Sequence, residues 1–287
     1  MRFAKGHGTG NDFVILPDAD DRLDLTAGLV RLLCDRHTGI GGDGVLRVVS
    51  AQAWQRSGGD TGAASWFMDY RNADGSIAEM CGNGIRVFAR YLIDHGLDTG
   101  PQIAIATRAG TRLVWAGPDG RLSADMGPAA SGGTGWAVIG GRRCSGLAVG
   151  VGNPHLACVV AGPVADYDLT VPPETDASMF PDGVNVEVLR LTGDHEIEMR
   201  VHERGSGETL SCGTGAVAAA VAAATATGEW PGDEGARRWL VRVPGGRLEV
   251  TPSASASLLA GPALIVAEGE ISSSWLADAA VAGSAVR

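Results

Sequence analysis

The chain has 287 residues, of which 45% are hydrophobic and 20% charged, which is enough apolar material for one large or about two ordinary domains and excludes a mainly disordered protein. The net charge of −10 argues against nucleic acid as a partner, because an acidic surface repels phosphate groups. Lys5 is the only lysine, so pyridoxal phosphate, which needs a Schiff-base lysine, is not expected as a cofactor.

Apolar periodicity, punctuated by glycine and proline, predicts strands and helices along the whole chain. In the first half, strands are predicted at 13–16, 45–49, 66–71, 103–106 and 111–115, and helices at 26–35 and 85–95. In the second half, strands are predicted at 156–160, 184–191, 196–202, 239–243, 247–251 and 264–267, with an alanine-rich helix at 216–227. The glycine-rich or polar segments 52–64 and 128–141 are expected to be loops, and a domain boundary is placed near Gly127.

The cysteines and the N-terminal residues indicate the compartment. There are five cysteines, an odd number, and none forms a C-x-x-C pair, so neither a disulfide framework nor a zinc cluster is predicted. The first residues lack the apolar run of a signal peptide. The run of small apolar residues at 216–226 is shorter than the about 20 residues of a membrane span. We therefore expect a cytoplasmic protein that does not bind a membrane.

The two halves of the chain carry three short matches in the same order, which indicates an internal duplication. Two cysteines in the last match, Cys81 and Cys212, are 131 residues apart. Asn72 and Glu203 each lie nine residues before their cysteine, and a methionine lies 13 residues before each. The matched pairs are Gly10-Asn11 with Gly152-Asn153, Asp43-Gly44-Val45 with Asp182-Gly183-Val184, and Cys81-Gly82-Asn83-Gly84 with Cys212-Gly213-Thr214-Gly215.

Each Cys-Gly-x-Gly motif is predicted to open a helix. A cysteine there lies near the positive end of the helix dipole and near free backbone N–H groups, both of which favour the thiolate. The glycines let an anionic ligand approach those groups. If the two sites face one carboxylate-bearing molecule, one sulfur can remove a proton from one face while the other delivers a proton to the opposite face. Cys81 and Cys212 are therefore the candidate acid/base pair, whereas Cys34, Cys144 and Cys158 lack the motif and are predicted as core residues.

Other motifs leave alternative functions open. Residues 39–44 match G-x-G-x-x-G, but a helix precedes them and a strand follows, which is the reverse of a dinucleotide-binding turn. Residues 213–218 match G-x-G-x-x-A and do open a helix, so a nucleotide-dependent oxidoreductase remains an alternative. His155, His202 and Glu203 lack metal-ligand spacing. A Cys–His protease would leave one of the matched cysteines without a role.

Seven segments together resemble the diaminopimelate epimerase family of cofactor-independent amino acid racemases and epimerases. They are Gly8-Thr9-Gly10-Asn11-Asp12-Phe13, Asn72-Ala73-Asp74-Gly75-Ser76, Cys81-Gly82-Asn83-Gly84, Gly152-Asn153-Pro154-His155, Asn185-Val186-Glu187-Val188, Glu203-Arg204-Gly205 and Ser211-Cys212-Gly213-Thr214-Gly215. The resemblance implies an α+β fold of two pseudo-symmetric domains, each a curved, mainly antiparallel sheet wrapped round a central helix, with the active site in the cleft between them. The domains would be residues 1–126 plus 264–287 and residues 127–263.

The resemblance also implies an activity: interconversion of LL- and meso-2,6-diaminopimelate, for lysine and peptidoglycan precursor synthesis, by a homodimer without a cofactor or metal. Cys81 and Cys212 would exchange the α-proton, and His155 and Glu203 would tune the two thiols. The residues that would hold the substrate are Asn11, Asn72, Gly82, Asn83, Asn153, Asn185, Glu203, Arg204, Gly213 and Thr214. Many members of the family carry Gln where this chain has Gly44, so one side-chain contact to the substrate is expected to be absent. A racemase of another amino acid is a further alternative.

Overall fold

A computed structural model describes residues 1–231 and 236–277. Residues 278–287, which end the first predicted domain, lie outside the described residues. The chain divides into two compact units. Unit 1 comprises Met1–Leu122 and the segment that begins at Ala263, and unit 2 comprises Ser123–Pro262. Each unit is a many-stranded sheet with one long helix, so the predicted α+β class is confirmed.

The strands, in chain order, are β1 (Arg2–Gly8), β2 (Asn11–Pro17), β3 (Gly44–Ser50), β4 (Trp66–Asn72), β5 (Gln102–Thr107), β6 (Gly110–Ala116), β7 (Leu122–Gly127), β8 (Ala130–Ile139), β9 (Arg142–Gly150), β10 (Pro154–Val159), β11 (Glu174–Thr175), β12 (Asn185–Gly193), β13 (Glu196–Glu203), β14 (Gly207–Thr209), β15 (Trp239–Val243), β16 (Gly246–Thr251), β17 (Ser257–Gly261) and β18 (Leu264–Glu270). The helices are α1 (Ala27–Cys34), α2 (Ala51–Arg56), α3 (Gly82–Asp94) and α4 (Gly213–Ala226), with a 3₁₀ turn at Val164–Asp166. Of the helices in the described part, none is long and apolar enough to cross a membrane.

In unit 1 the strands pair in the order β18-β1-β2-β3-β4-β5-β6. The pairings β2–β3 and β4–β5 are parallel and the others are antiparallel. Helix α3 packs against this sheet through buried Ile85, Phe88 and Leu92, which recur at the three- and four-residue spacing of one helix face. It begins three residues before the predicted helix because Cys81 is the residue that caps it.

In unit 2 the strands pair in the order β8-β9-β10-β12-β13-β15-β16-β17-β7, and β11 and β14 are short additions to β8 and β13. The pairings β10–β12 and β13–β15 are parallel. Helix α4 is buried all round from Gly215 to Ala224. Its alanine side chains are small enough to let the surrounding strands pack close to the helix backbone.

The two sheets contain the same run of six strands. Strands β1 to β6 correspond to β9, β10, β12, β13, β15 and β16, and in both runs the pairings alternate between antiparallel and parallel in the same order. The register agrees as well, since Phe13 lies opposite Gly44 in unit 1 and His155 lies opposite Asn185 in unit 2. The duplication is therefore present in the strand pairing. The register makes Asn185, not Gly183, the counterpart of Gly44, so the predicted match of Asp43-Gly44-Val45 with Asp182-Gly183-Val184 was wrong by two residues.

The prediction of a loop over 52–64 was wrong at its beginning. Helix α2 occupies Ala51–Arg56, and the hydroxyl of Ser50 accepts a hydrogen bond from the amide of Ala53, as an N-cap does. The ring of Trp54 stacks on Phe67, with the ring centroids 3.9 Å apart. The polar composition of the segment predicts a loop, but its first residues form a short helix that packs against the sheet through Trp54.

The prediction of a loop over 128–141 was also wrong. Strands β8 and β9 form a long antiparallel hairpin, in which Ala137 lies opposite Cys144. Its turn is Gly140-Gly141, with φ of +55° and +78°, a left-handed conformation that glycine adopts without steric cost. The turn is only two residues long, and the other glycines of the segment, Gly132, Gly133 and Gly135, lie within strand β8.

A buried carboxylate, that of Asp69, lies in the middle of β4. It contacts the guanidinium groups of Arg47 at 2.9 Å, Arg71 at 2.9 Å and Arg108 at 2.7 Å. Burial by itself would raise the pKa of Asp69, but hydrogen bonds and charges from Arg71 and Arg108 lower it below its ordinary value. The carboxylate is therefore ionised in the folded protein and compensates several positive charges within unit 1.

Candidate active site

Cys81 is the N-cap residue of α3. Its Sγ accepts a hydrogen bond from the amide of Gly84 at 3.3 Å and lies 3.7 Å from Oδ1 of Asn11. The amides of Gly82 and Asn83 follow in the first helical turn, where N–H groups have no acceptor within the helix. The half-buried sulfur thus lies beside backbone donors suited to an anionic group.

Behind the sulfur, polar side chains form what we call the Cys81 cluster, which is Thr9, Asn11, Cys81, Asn83 and Arg86. Nδ2 of Asn83 donates to Oδ1 of Asn11 at 3.4 Å. Oδ1 of Asn83 accepts from Arg86 at 2.8 Å and from Thr9 at 3.3 Å. Arg86 is fully buried and also donates to the carbonyl of Gly82 at 2.7 Å and to Thr9 at 3.2 Å. The predicted residues Asn11 and Asn83 are therefore in contact with each other, and Asn11 is also in contact with the cysteine.

The side chain of Asn11 is oriented by Asp43. Its Nδ2 donates to Oδ2 of Asp43 at 2.7 Å, and Arg36 holds the other oxygen of Asp43 at 2.9 Å. Arg36 and Lys5 also contact Asp12; burial by itself would raise the pKa of Asp12, but these cations lower it well below its usual range. Asn11 is thus fixed with Oδ1 toward Cys81.

Asn72 lies apart from the Cys81 cluster. It is opposite Gly44 in the sheet, and its Nδ2 donates to the hydroxyl of Ser76 at 3.0 Å. A Cβ atom at Gly44 would lie 2.5 Å from the carbonyl oxygen of Arg71 and 2.8 Å from the ring of Tyr70. A side chain at position 44 would therefore not fit here without movement of the backbone.

In unit 2, Cys212 is the N-cap residue of α4, and the amides of Gly213 and Thr214 occupy its first turn. Its sulfur makes no capping hydrogen bond to the helix and lies 3.5 Å from the hydroxyl of Thr214. Burial raises the pKa of the Cys212 thiol well above its ordinary value, and the negative charges of Glu203 and Glu187 raise it further.

A histidine–carboxylate pair lies beneath this helix end. Nδ1 of His155 is 2.7 Å from Oε1 of Glu187, and Nε2 of His155 is 2.9 Å from Oδ1 of Asn153. His155 and Glu187 are fully buried. A Cβ atom added at Gly215 would lie 2.7 Å from Oε1 of Glu187 and 3.4 Å from Sγ of Cys212, so the carboxylate is directly under the first turn. We call Asn153, His155, Glu187, Glu203, Cys212 and Thr214 the Cys212 cluster.

The other predicted residues of unit 2 form a connected group. Oδ1 of Asn185 accepts from the backbone N–H of Arg204 at 2.9 Å, and its Nδ2 donates to the carbonyl of Pro154 at 3.1 Å. Glu203 accepts from the hydroxyl of Thr209 at 2.5 Å. The exposed guanidinium of Arg204 donates to the carbonyl of Asp182 at 2.9 Å. Glu203 is the last residue of β13 and Arg204 follows it, and β13 packs against the helix that Cys212 opens.

Sequence reasoning missed Arg86 and Glu187 as site residues. Both are charged residues among apolar ones: Arg86 stands between Ile85 and Val87 in α3, and Glu187 lies within the buried strand β12. This apolar setting was the signal available in the sequence, because a charged side chain is costly to bury unless hydrogen bonds or an opposite charge compensate it. In the part of the chain that is described, no group of His, Cys, Asp or Glu is arranged to hold a metal ion.

The model of the diaminopimelate epimerase family matches residues 3–131 and 147–266, on both sides of the β8–β9 hairpin. This chain belongs to the diaminopimelate epimerase family. A family member from Thermobifida fusca is 54% identical over 275 residues, which cover 94% of this chain and 98% of that protein. A second, from Mycolicibacterium smegmatis, is 51% identical over 290 residues and covers 96% and 98%.

A solved structure shares the fold at low sequence identity. A probable proline racemase from Agrobacterium radiobacter superimposes with a TM-score of 0.67 at 15% identity, covering 95% of this chain and 93% of that one. The likeness shows that the two chains share a fold over nearly the whole length of this chain.

Proposed function

We propose that this protein interconverts LL-2,6-diaminopimelate and meso-2,6-diaminopimelate by moving the proton on one α-carbon between Cys81 and Cys212. The observation that carries the proposal is the placement of both cysteines at the N-caps of the two equivalent helices. The match to the family model over both units supports the substrate.

The chemistry needs one sulfur ionised and one protonated. The thiolate takes the α-proton, and the electron pair left on carbon is delocalised into the carboxylate. The other thiol then gives its proton to the opposite face, so the configuration inverts without a net change in atoms or charge. First-turn amides at Gly82, Asn83, Gly213 and Thr214 would stabilise the negative charge that grows on the carboxylate in the transition state.

The remaining predicted residues supply recognition of the substrate's polar groups. Asn11 bonds to Asn83 in the first turn of α3, and Asn153 bonds to His155 beneath the first turn of α4, which supports this role for these two residues. Asn11, Asn72, Asn153, Asn185, Glu203 and Arg204 would bind the amino and carboxyl groups, and His155 with Glu203 would tune the thiols. We also propose that no cofactor takes part and that residues 1–126 plus 264–287 and 127–263 act as the two domains. We place the enzyme in the cytoplasm as a homodimer, which light scattering on the purified protein will test.

The decisive measurement is the incubation of the protein with LL-diaminopimelate in deuterium oxide, without added nicotinamide or metal. We expect meso product that carries deuterium at one α-carbon. Cys81→Ser and Cys212→Ser should each lower the rate by several orders of magnitude, because a hydroxyl is a far weaker base than a thiolate.

Cys34→Ser is the matched control, because Cys34 is buried outside the two clusters and should be dispensable for turnover. Product that contains only protium, or near-normal turnover by Cys212→Ser, would contradict the two-base mechanism. Exchange on proline but not on diaminopimelate would instead favour a racemase of another amino acid.

A further inference from the structure

The two helix ends are equivalent in topology but opposite in buried charge. In unit 1 a Cβ atom at Gly84 would meet Leu46 at 3.3 Å and Phe13 at 3.5 Å. In unit 2 the sheet register places Glu187 where Leu46 is and His155 where Phe13 is. An apolar pair under Cys81 is therefore replaced by a carboxylate–imidazole pair under Cys212.

Unit 1 instead has a buried positive charge near its cysteine, that of Arg86. Arg86 follows Cys81 by five residues, and the residue in the corresponding place after Cys212 is Val217. Arg86 is fully buried, and its hydrogen-bond acceptors among the described residues are uncharged: the carbonyl of Gly82 and the side chains of Thr9 and Asn83. Burial lowers the pKa of Arg86 to about 10, so it remains a cation at neutral pH, and a negative charge on Cys81 stabilises that cation.

A buried cation without a carboxylate partner is costly unless another anion lies near it. The Cys81 thiolate is the anion that this arrangement can provide. In the Cys212 cluster the neighbouring charges have the opposite sign, because burial and the two carboxylates Glu203 and Glu187 all raise the pKa of the Cys212 thiol. A second negative charge on Cys212 would be repelled there.

The capping contacts agree with the charges. The sulfur of Cys81 accepts the amide hydrogen of Gly84, as an anionic N-cap would, whereas the sulfur of Cys212 makes no such bond to its helix and lies beside the hydroxyl of Thr214. One contact points the other way: Sγ of Cys81 lies 3.7 Å from Oδ1 of Asn11, an acceptor to which only a protonated thiol can donate, but this distance is close to the limit for a sulfur hydrogen bond. This long contact with the neutral side chain of Asn11 affects the ionisation of Cys81 less than the buried positive charge of Arg86 does.

We infer that Cys81 is the thiolate and Cys212 the thiol in the resting protein, and that Arg86 and Glu187 are the positioning residues that set this asymmetry. The inference rests on the proposed function, in which the two sulfurs exchange one proton. If so, the two directions of the reaction begin from different protonation states of Cys81 and Cys212. The resting protein removes a proton only from the face presented to Cys81, and one turnover leaves the proton on Cys81 and the charge on Cys212.

The test is an ultraviolet titration of thiolate absorption on the intact, substrate-free protein. Cys212→Ser retains Cys81, and Cys81→Ser retains Cys212; the other three cysteines are common to both variants and cancel in the difference. We expect the absorption of the Cys212→Ser protein at neutral pH to exceed that of Cys81→Ser, with a titration midpoint lower by at least about one pH unit. Equal midpoints, or the reverse order, would overturn the inference.

Second variants separate charge from structure. In the Cys212→Ser background, Arg86→Gln should raise the Cys81 midpoint, while Arg86→Lys, which keeps the charge, should leave it near its starting value. In the Cys81→Ser background, Glu187→Gln should lower the Cys212 midpoint. If Arg86→Gln does not fold, the midpoints of the two cysteine variants and of Glu187→Gln still test the inference.

The titration uses no substrate, so it fails or succeeds independently of the deuterium experiment. A protein that incorporates deuterium but shows equal thiol midpoints would retain the proposed function and lose this inference. A protein with the expected midpoints but without exchange on diaminopimelate would do the opposite.

Discussion

Asp69 shows how much a single residue contributes to unit 1. Its buried carboxylate contacts three arginines, and Asp69→Asn would leave those guanidinium groups without their shared anion. We expect a loss of about 3–5 kcal/mol in the free energy of unfolding, measured by urea denaturation. Asp20→Asn is the matched control, because Asp20 is largely exposed and pairs with the exposed side chain of Arg22; the unfolding midpoint of this variant should not change.

The same residue predicts a pH dependence. The pKa of Asp69 is lowered in the folded protein, so its stabilisation is complete above the ordinary aspartate value of about 4 and is lost as the pH falls through the folded value. The midpoint of unfolding should therefore decrease in acid more steeply for the natural protein than for Asp69→Asn. Parallel curves would show that other carboxylates dominate acid unfolding.

Helix α4 is a clear case of packing at the level of an element. Ala219 is fully buried, whereas Ala226, in the last turn of the same helix, is exposed. Ala219→Leu should lower the free energy of unfolding by about 1–3 kcal/mol, because three added carbons must displace neighbouring strands. Ala226→Leu adds the same atoms at the surface and should cost little. Equal effects in thermal unfolding would mean that α4 is less tightly enclosed than described.

Elements with strong apolar periodicity were predicted well, and those held by single contacts were not. Strand β8 was missed because its first half is exposed and glycine-rich, so no alternation marks it. Helix α2 was missed because its position depends on a cap at Ser50 and on Trp54 stacking against a strand distant in sequence. Composition over a short window does not contain either contact.

The site was predictable where the duplicated motif keeps its residue types. Cys81 and Cys212 were found through matched spacing, and the asparagines beside them through the resemblance to the family. Glu187 was not, because its counterpart in unit 1 is Leu46, and the correspondence appears only in the strand register. Glu187 and Leu46 occupy equivalent positions in the two sheets but differ in charge, so a search for matching residue types does not detect the pair.

For the whole molecule, the two units differ in how the chain builds them. Unit 2 is one continuous segment, Ser123–Pro262, whereas unit 1 needs both ends of the chain. Strand β18 pairs with β1 over the register Arg2–Glu270 to His7–Leu264. The sheet of unit 1 is therefore completed by a strand that is synthesised after all of unit 2.

This closure dictates an order of events on the ribosome. A nascent chain arrested after Pro262, with enough added linker to leave the exit tunnel, already holds every strand of unit 2 but leaves one edge of β1 bare. Limited proteolysis of such chains should find 123–262 protected while 1–122 is still cleaved, and extension past Glu270 should protect both. Early protection of 1–122 would show that β18 is dispensable for its folding. With the expected result, residues 1–122 are synthesised first but complete their sheet only after unit 2 has formed. Until then the unpaired edge of β1 can pair with an exposed strand of another chain, so unit 1 is open to aggregation during synthesis.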